Sequence, residues 1–136
     1  MTDCIFCKII AGELPSTKVY EDDHCLAFLD IRPVTKGHTL VVPKGHVTDV
    51  ATADPEVMAN VSRALPKIAR AVVSGVNAQG FNCTTNNGAV AGQIIFHLHF
   101  HIIPRFSDDG LLSWHHGSYK EGEQEQVGET IRSQIV

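Results

Sequence analysis

No stretch of this chain approaches the roughly 20 consecutive apolar residues that a membrane-spanning helix requires, so no membrane partner is expected. The opening MTDCIFCKII lacks a charged start followed by a long apolar region, which argues against a secretory signal and for a cytoplasmic protein. Basic residues are scarce: 11 Lys and Arg face 15 Asp and Glu, and a formal net charge of -4 offers no footprint for nucleic acid. Only four cysteines are present, and in a reducing compartment they are not expected to form disulfides. There is no Gly-x-Ser-x-Gly elbow, a signature of serine-dependent acyl transfer. Nor are there internal repeats or a linker long enough to divide 136 residues. Residues 1–136 therefore read as one domain, with a core over about 3–105 and a polar tail over 106–136.

What the chain does have is concentrated in His97-Leu98-His99-Phe100-His101-Ile102-Ile103-Pro104. Three imidazoles alternate with large apolar residues, a period of two that a β-strand sorts onto two faces. Leu98, Phe100 and Ile102 are predicted to enter a core, with the histidines on the opposite face roughly 6.5 Å apart. Neutral imidazole is a nucleophile, a proton carrier and a metal ligand near pH 7, so such a face reads as a prepared site.

Around it, Lys18–Tyr20 and Cys25–Asp30 read as a hairpin joined by the charged turn Glu21-Asp22-Asp23. His38–Pro43 is a third strand, ended by its proline. Asp54-Pro55-Glu56 supplies an N-cap, a proline at the first helical position and an acid in the first turn. A helical apolar period from Val57 to Val73 predicts a long helix over about 55–73, closing near Gly75 and disturbed at Pro66. Phe81–Thr85 and Ile95–Ile103 give two more strands, joined by the Gly-rich loop 86–92. Val127, Ile131 and Ile135 give the tail a weak helical pattern. Together these predict an α+β domain: a five-stranded antiparallel sheet with one long helix packed on it. Cys25 and Cys83 are expected to pack as small hydrophobes. His24, His115 and His116 are expected at the surface.

A nucleophilic imidazole flanked by two others can attack phosphorus while its neighbours manage protons and charge. The loop from Asn86 to Gly92, with Gln93 at its end, offers an amide side chain and glycines that let backbone N–H groups approach an anion. Cys4-x-x-Cys7 has zinc-ligand spacing, but two ligands do not close a structural site. A redox pair and a pair of ordinary buried thiols stand beside that reading.

The run GQIIFHLHFHIIPR resembles the signature of the histidine-triad superfamily, His-φ-His-φ-His-φ-φ with φ apolar. CIFCKIIAGELPS, YEDDHCLAFLDIRPVTKGHTLVVPKGH and the Asn86 loop resemble it in order and spacing, over roughly the first 105 residues. The resemblance implies an HIT-like fold and a nucleotide hydrolase or transferase. Its substrate would be a nucleoside monophosphate joined to an amine, a polyphosphate or a similar group, with a purine nucleotide or conjugate as ligand. On that basis His99 is the nucleophile that becomes nucleotidylated, standing exposed at the mouth of a cleft. His101 contacts the scissile phosphate and helps protonate the leaving group, while His38 and His97 support the geometry. Asn86, Gly92 and Gln93 surround phosphate or leaving group. Phe6, Ile9, Phe28, Asp30 and Ile31 hold base and ribose, with Asp30 accepting from the ribose hydroxyls. The bacterial branch implies a structural zinc on Cys4, Cys7, His46 and His97, and relatives form homodimers. Ile94 replaces the Ser or Thr that often stands three residues before the first triad histidine, and Pro104-Arg105 is more like the dinucleoside-polyphosphate hydrolases. A nucleotide-binding sensor with vestigial catalysis and a zinc-stabilised interaction protein are the other two readings.

Overall fold

A computed structural model describes residues 3–136. Its centre is an antiparallel sheet of five strands in the order β1-β2-β3-β5-β4. Strand β1 (Lys18–Glu21) turns into β2 (Cys25–Leu29), as the charged turn predicts. Asp22 shapes that turn, its carboxylate accepting from the N–H groups of His24 and Cys25. Strands β2 and β3 (Thr39–Pro43) are buried nearly throughout, because the sheet is covered on both faces.

The long helix α2 (Pro55–Val76) covers one face and turns Val61, Ala64, Ile68, Ala69 and Val72 to the sheet. They join Cys25, Ala27, Val41 and Ile102 in one core cluster. The Asp54 carboxylate caps its start by accepting from the Glu56 N–H. The helix runs through Pro66, which leaves the Ser62 carbonyl without its usual donor four residues on. It closes at Asn77, in the left-handed region with φ 56°, rather than at Gly75. Asn is the residue after Gly that adopts this conformation most readily.

The opposite face carries a short helix, α1 (Ile5–Ile10). Its Phe6 and Ile9 meet Leu26, Phe28, Leu40 and Val42 in a second cluster. Strand alternation assigns neighbours such as Ala27 and Phe28 to different clusters.

Two sequence expectations need correction here. Ile95–Ile103 is not one strand: β5 covers Phe100–Arg105, and His97 and His99 precede it. The pairing of β5 with β3 ends at Val41↔Phe100. Pro43 has no N–H to offer, and its carbonyl accepts from the His97 ring instead of a backbone amide. Leu98 is still buried, fixed by one backbone bond from its N–H to the Val47 carbonyl. Cys83 is exposed rather than packed, because β4 (Gly80–Thr84) is an edge strand.

Arg105 grips Asp109 through two nitrogens, at 2.7 and 3.1 Å, and so ties down the start of the tail. Beyond it, a final helix α3 (Glu123–Gln134) buries no residue. No helix among the described residues is long and apolar enough to cross a membrane.

Candidate functional site

On the α1 side of the sheet the histidines form two groups. The first joins His38, His99 and His101. His101 is paired in the ladder with Leu40 and Thr84, and its Nδ1 lies 2.9 Å from Nε2 of His38. His99 packs against His101 with ring centroids 5.0 Å apart.

Main-chain partners settle where the protons sit. The Val34 N–H can only donate, so Nδ1 of His38 accepts at 3.0 Å. Neutral His38 then carries its proton on Nε2 and donates to Nδ1 of His101, whose own proton is left on Nε2. The His97 carbonyl can only accept, so Nδ1 of His99 donates at 2.7 Å. That leaves the lone pair of neutral His99 on Nε2. The Thr85 hydroxyl donates to the His99 carbonyl at 2.8 Å and fixes the main chain there.

His99 is 8% exposed, less open than a nucleophile at a cleft mouth was expected to be. The edge of Phe6 covers it, with ring centroids 5.0 Å apart. Among the described residues its Nε2 has no hydrogen-bond partner, yet no unpaired buried side-chain nitrogen occurs there. The small opening of this ring therefore includes Nε2.

Burial lowers the proton affinity of His38, despite the opposing charge of Asp30. Burial, with His99 and His38 nearby, brings His101 down to about 4. Both are neutral at pH 7, so the 3.7 Å approach of His38 Nε2 to Asp30 Oδ2 is not a charged pair. Asp30, His38 and His101 offer ligand atoms within 4.8 Å of one another.

The second group is Cys4, Cys7, His46 and His97, again with ligand atoms within 4.8 Å. His97 is fully buried. Its Nε2–H donates to the Pro43 carbonyl at 2.8 Å, leaving the Nδ1 lone pair facing Sγ of Cys4 at 3.4 Å and of Cys7 at 3.6 Å. His46 Nδ1 lies 3.4 Å from Cys7 Sγ. Zinc bonds of about 2.3 Å to sulfur and 2.0–2.1 Å to nitrogen give a tetrahedral S···N edge of about 3.6 Å. The donor set and its spacing both fit a metal ion, and the Pro43 carbonyl supplies the outer contact that orients a ligating imidazole. Without a cation, burial and adjacent Cys4 push the Cys7 thiol up, the penalty a metal would relieve. Cys4–Cys7 also does what a redox pair does, opening a helix: Cys4 is the N-cap of α1, its Sγ accepting from the Cys7 N–H.

Of the other residues picked out in the sequence, Asp30 reaches the first group at His38 and Phe6 reaches it at His99. Asp30 accepts from the Arg32 N–H through Oδ1. Ile31 beside it is 93% exposed. Phe6, Ile9 and Phe28 are buried together in the second core cluster. Asn86 makes a long contact of 3.4 Å to the Gly92 carbonyl. Gly92 has φ 95°, and a Cβ there would lie 3.3 Å from the Asn86 amide, so the loop requires glycine. Gln93 is buried, and its amide is engaged by Thr48, Ile95 and Gly88, which staples the loop. Ile94 is exposed. The partners that set the tautomers (Val34 N–H and the Pro43 and His97 carbonyls) were missed in the sequence, because every residue carries such groups and its letter does not say which are aimed at a ring.

Residues 11–108 match the model of the HIT domain. The chain belongs to the HIT domain family. The solved structure of an HIT family member from Bacillus subtilis superposes with a TM-score of 0.92 at 46% identity, covering 98% of each chain. The adenosine 5'-monophosphoramidase hnt1 of Schizosaccharomyces pombe is 38% identical over 134 residues, 97% of this chain and 98% of its own. A zinc-bound histidine triad family protein from Mycobacterium smegmatis has a TM-score of 0.77 at 38% identity, covering 97% of this chain and 92% of that one. In this HIT protein Cys4, Cys7, His46 and His97 could hold a metal ion. The five-stranded sheet with one long helix, expected from sequence, is the fold of these neighbours.

Proposed function

We propose that this HIT protein transfers a nucleoside monophosphate from a phosphoramidate, dinucleoside polyphosphate or related purine-nucleotide conjugate to water or another acceptor, by way of His99. The observation that carries the reading is the His99 Nδ1–H to His97 carbonyl bond, which leaves the Nε2 lone pair free at the small opening of a buried ring. In the first step the His99 Nε2–P bond forms as the bond from phosphorus to the leaving group breaks. Nδ1 keeps its proton on the carbonyl, so the imidazole carries a positive charge and is itself ready to leave. Water then attacks phosphorus and loses a proton to solvent, the P–N bond breaks with its electron pair going to Nε2, and neutral His99 returns with its Nδ1 proton unmoved.

Neutral His101 presents Nε2–H to a non-bridging oxygen. The same Nε2–H can reach the leaving-group atom and hydrogen-bond to it as negative charge develops there, which helps its protonation from solvent. Asn86 and the amides near Gly92 face the phosphate. Asp30 accepts from the ribose hydroxyls, since an acceptor-only carboxylate suits a diol. Ile31 covers the base. Phe6, Ile9 and Phe28 form the apolar floor of this pocket.

Zinc on Cys4, Cys7, His46 and His97 would act structurally, holding α1 against the segment that bears His99. The protein is read as a homodimer, supported by the open edge strand β4 with exposed Phe81.

Incubation with a nucleotide conjugate labelled at its α-phosphate tests the function. Label kept on the protein under base, lost in acid and absent from His99→Ala is the result expected. Turnover that persists in His99→Ala overturns the covalent route, and tight nucleotide binding with no label leaves only a sensor.

A further inference from the structure

Helix α1 physically joins the two histidine groups. Cys4 and Cys7 turn towards His46 and His97, while Phe6 between them turns to the sheet. The Phe6 ring meets three others edge to face: Phe28 at 5.6 Å, His97 at 5.9 Å and His99 at 5.0 Å, the last with an interplanar angle of 79°. His99 makes one ring hydrogen bond, to the His97 carbonyl. One bond fixes one corner of an imidazole and leaves the ring free to turn about it, so a second contact is needed to set its plane. Phe6 and His101, each 5.0 Å away between ring centroids, supply it from two sides, and Phe6 is the one that α1 carries. A six-residue helix cannot hold itself together in water, and α1 therefore depends on its anchors.

We propose that Phe6 is a positioning residue for His99, and that its grip depends on the cluster of Cys4, Cys7, His46 and His97. When the cluster is filled, α1 is clamped, the Phe6 edge keeps the His99 ring in one orientation, and Nε2 faces the pocket. When the cluster is empty, the ring also swings off the His97 carbonyl, loses the acceptor that holds its Nδ1 proton, samples both tautomers and aims the nucleophile only part of the time. His97 serves both ends, its imidazole in the cluster and its carbonyl on His99. The kinetic side rests on the nucleotidyl-transfer reading above; the structural side does not.

The test uses the full chain with 15N-labelled histidine, loaded with one equivalent of Zn2+ or freed of it by a chelator. Two-bond 1H–15N correlations read the His99 tautomer, assigned with His99→Gln. The zinc-loaded protein is expected to show His99 as the Nδ1–H tautomer alone, and the zinc-free protein and Cys4→Ser a mixture. Phe6→Leu is expected to show the mixture even with zinc bound, with zinc affinity within about 2-fold and kcat lowered about 10-fold, beyond any rise in KM from the altered pocket floor. A single tautomer throughout the zinc-free protein, Cys4→Ser and Phe6→Leu overturns the proposal. If Phe6→Leu does not fold, the first two comparisons decide. A tautomer mixture on zinc removal in a protein that turns over no nucleotide conjugate supports the positioning and sinks the function, so the two fail separately.

Discussion

Two groups of imidazoles share one stretch of chain, and they differ in which ring nitrogen the main chain holds. At His97 the Pro43 carbonyl takes the Nε2 proton and turns the Nδ1 lone pair towards two sulfurs. At His99, two residues on, the His97 carbonyl takes the Nδ1 proton and turns the Nε2 lone pair outwards. Both rings are largely buried, and among the described residues neither has a carboxylate partner, so carboxylate charge does not separate their roles. The choice of tethered nitrogen does. On the proposed reading, the same side chain serves as a metal ligand or as a nucleophile according to a backbone oxygen.

Removing each ring in turn separates the two roles most strongly. His99→Ala is expected to lower turnover about 1,000-fold or more, with zinc content unchanged by atomic absorption. His97→Ala loses the metal and a fully buried, hydrogen-bonded ring, and is expected to cost about 3–4 kcal/mol in denaturant unfolding. Equal effects of both on metal content would erase the distinction.

Acid sharpens it next. His101 falls from 6.5 in the unfolded chain to about 4 in the folded one, so between those values the unfolded chain binds more protons. Stability is therefore complete above pH 6.5 and is lost as pH falls towards 4. At about 1.4 kcal/mol per pH unit this is worth up to ~3 kcal/mol, less what solvent screens at the open side of the ring. Unfolding of wild type and His101→Gln across that window reads it: the variant should show the shallower loss. The smallest effect expected is at Asp30, where Asp30→Asn should raise KM about 10-fold for a ribonucleotide and little for its 2',3'-dideoxy analogue.

The sequence was most legible where a side chain itself carries the instruction. Asp22 and its neighbours announce the β1–β2 turn, and Asp54-Pro55 announces α2. Its end was read three residues short because Asn77, not Gly75, takes the left-handed conformation. Helix α1 was unreadable by period, since six residues span fewer than two turns. The alternation at 97–103 correctly buries Leu98 and Ile102, but alternation does not reveal that a ring replaces an amide at Pro43. His46 has no spacing that marks it, and only the family pattern brought it to Cys4 and Cys7.

One backbone amide has an effect on metal discrimination. Asp30, His38 and His101 lie as close together as the thiol-bearing quartet, and by distance alone they would attract a second divalent ion. The Val34 N–H works against it. A cation on Nε2 of His38 would force the remaining proton onto Nδ1, where it would point at another donor in a buried setting, a mismatch worth about 1–3 kcal/mol. On the proposed reading, zinc therefore fills the quartet well before it reaches the imidazoles around His99.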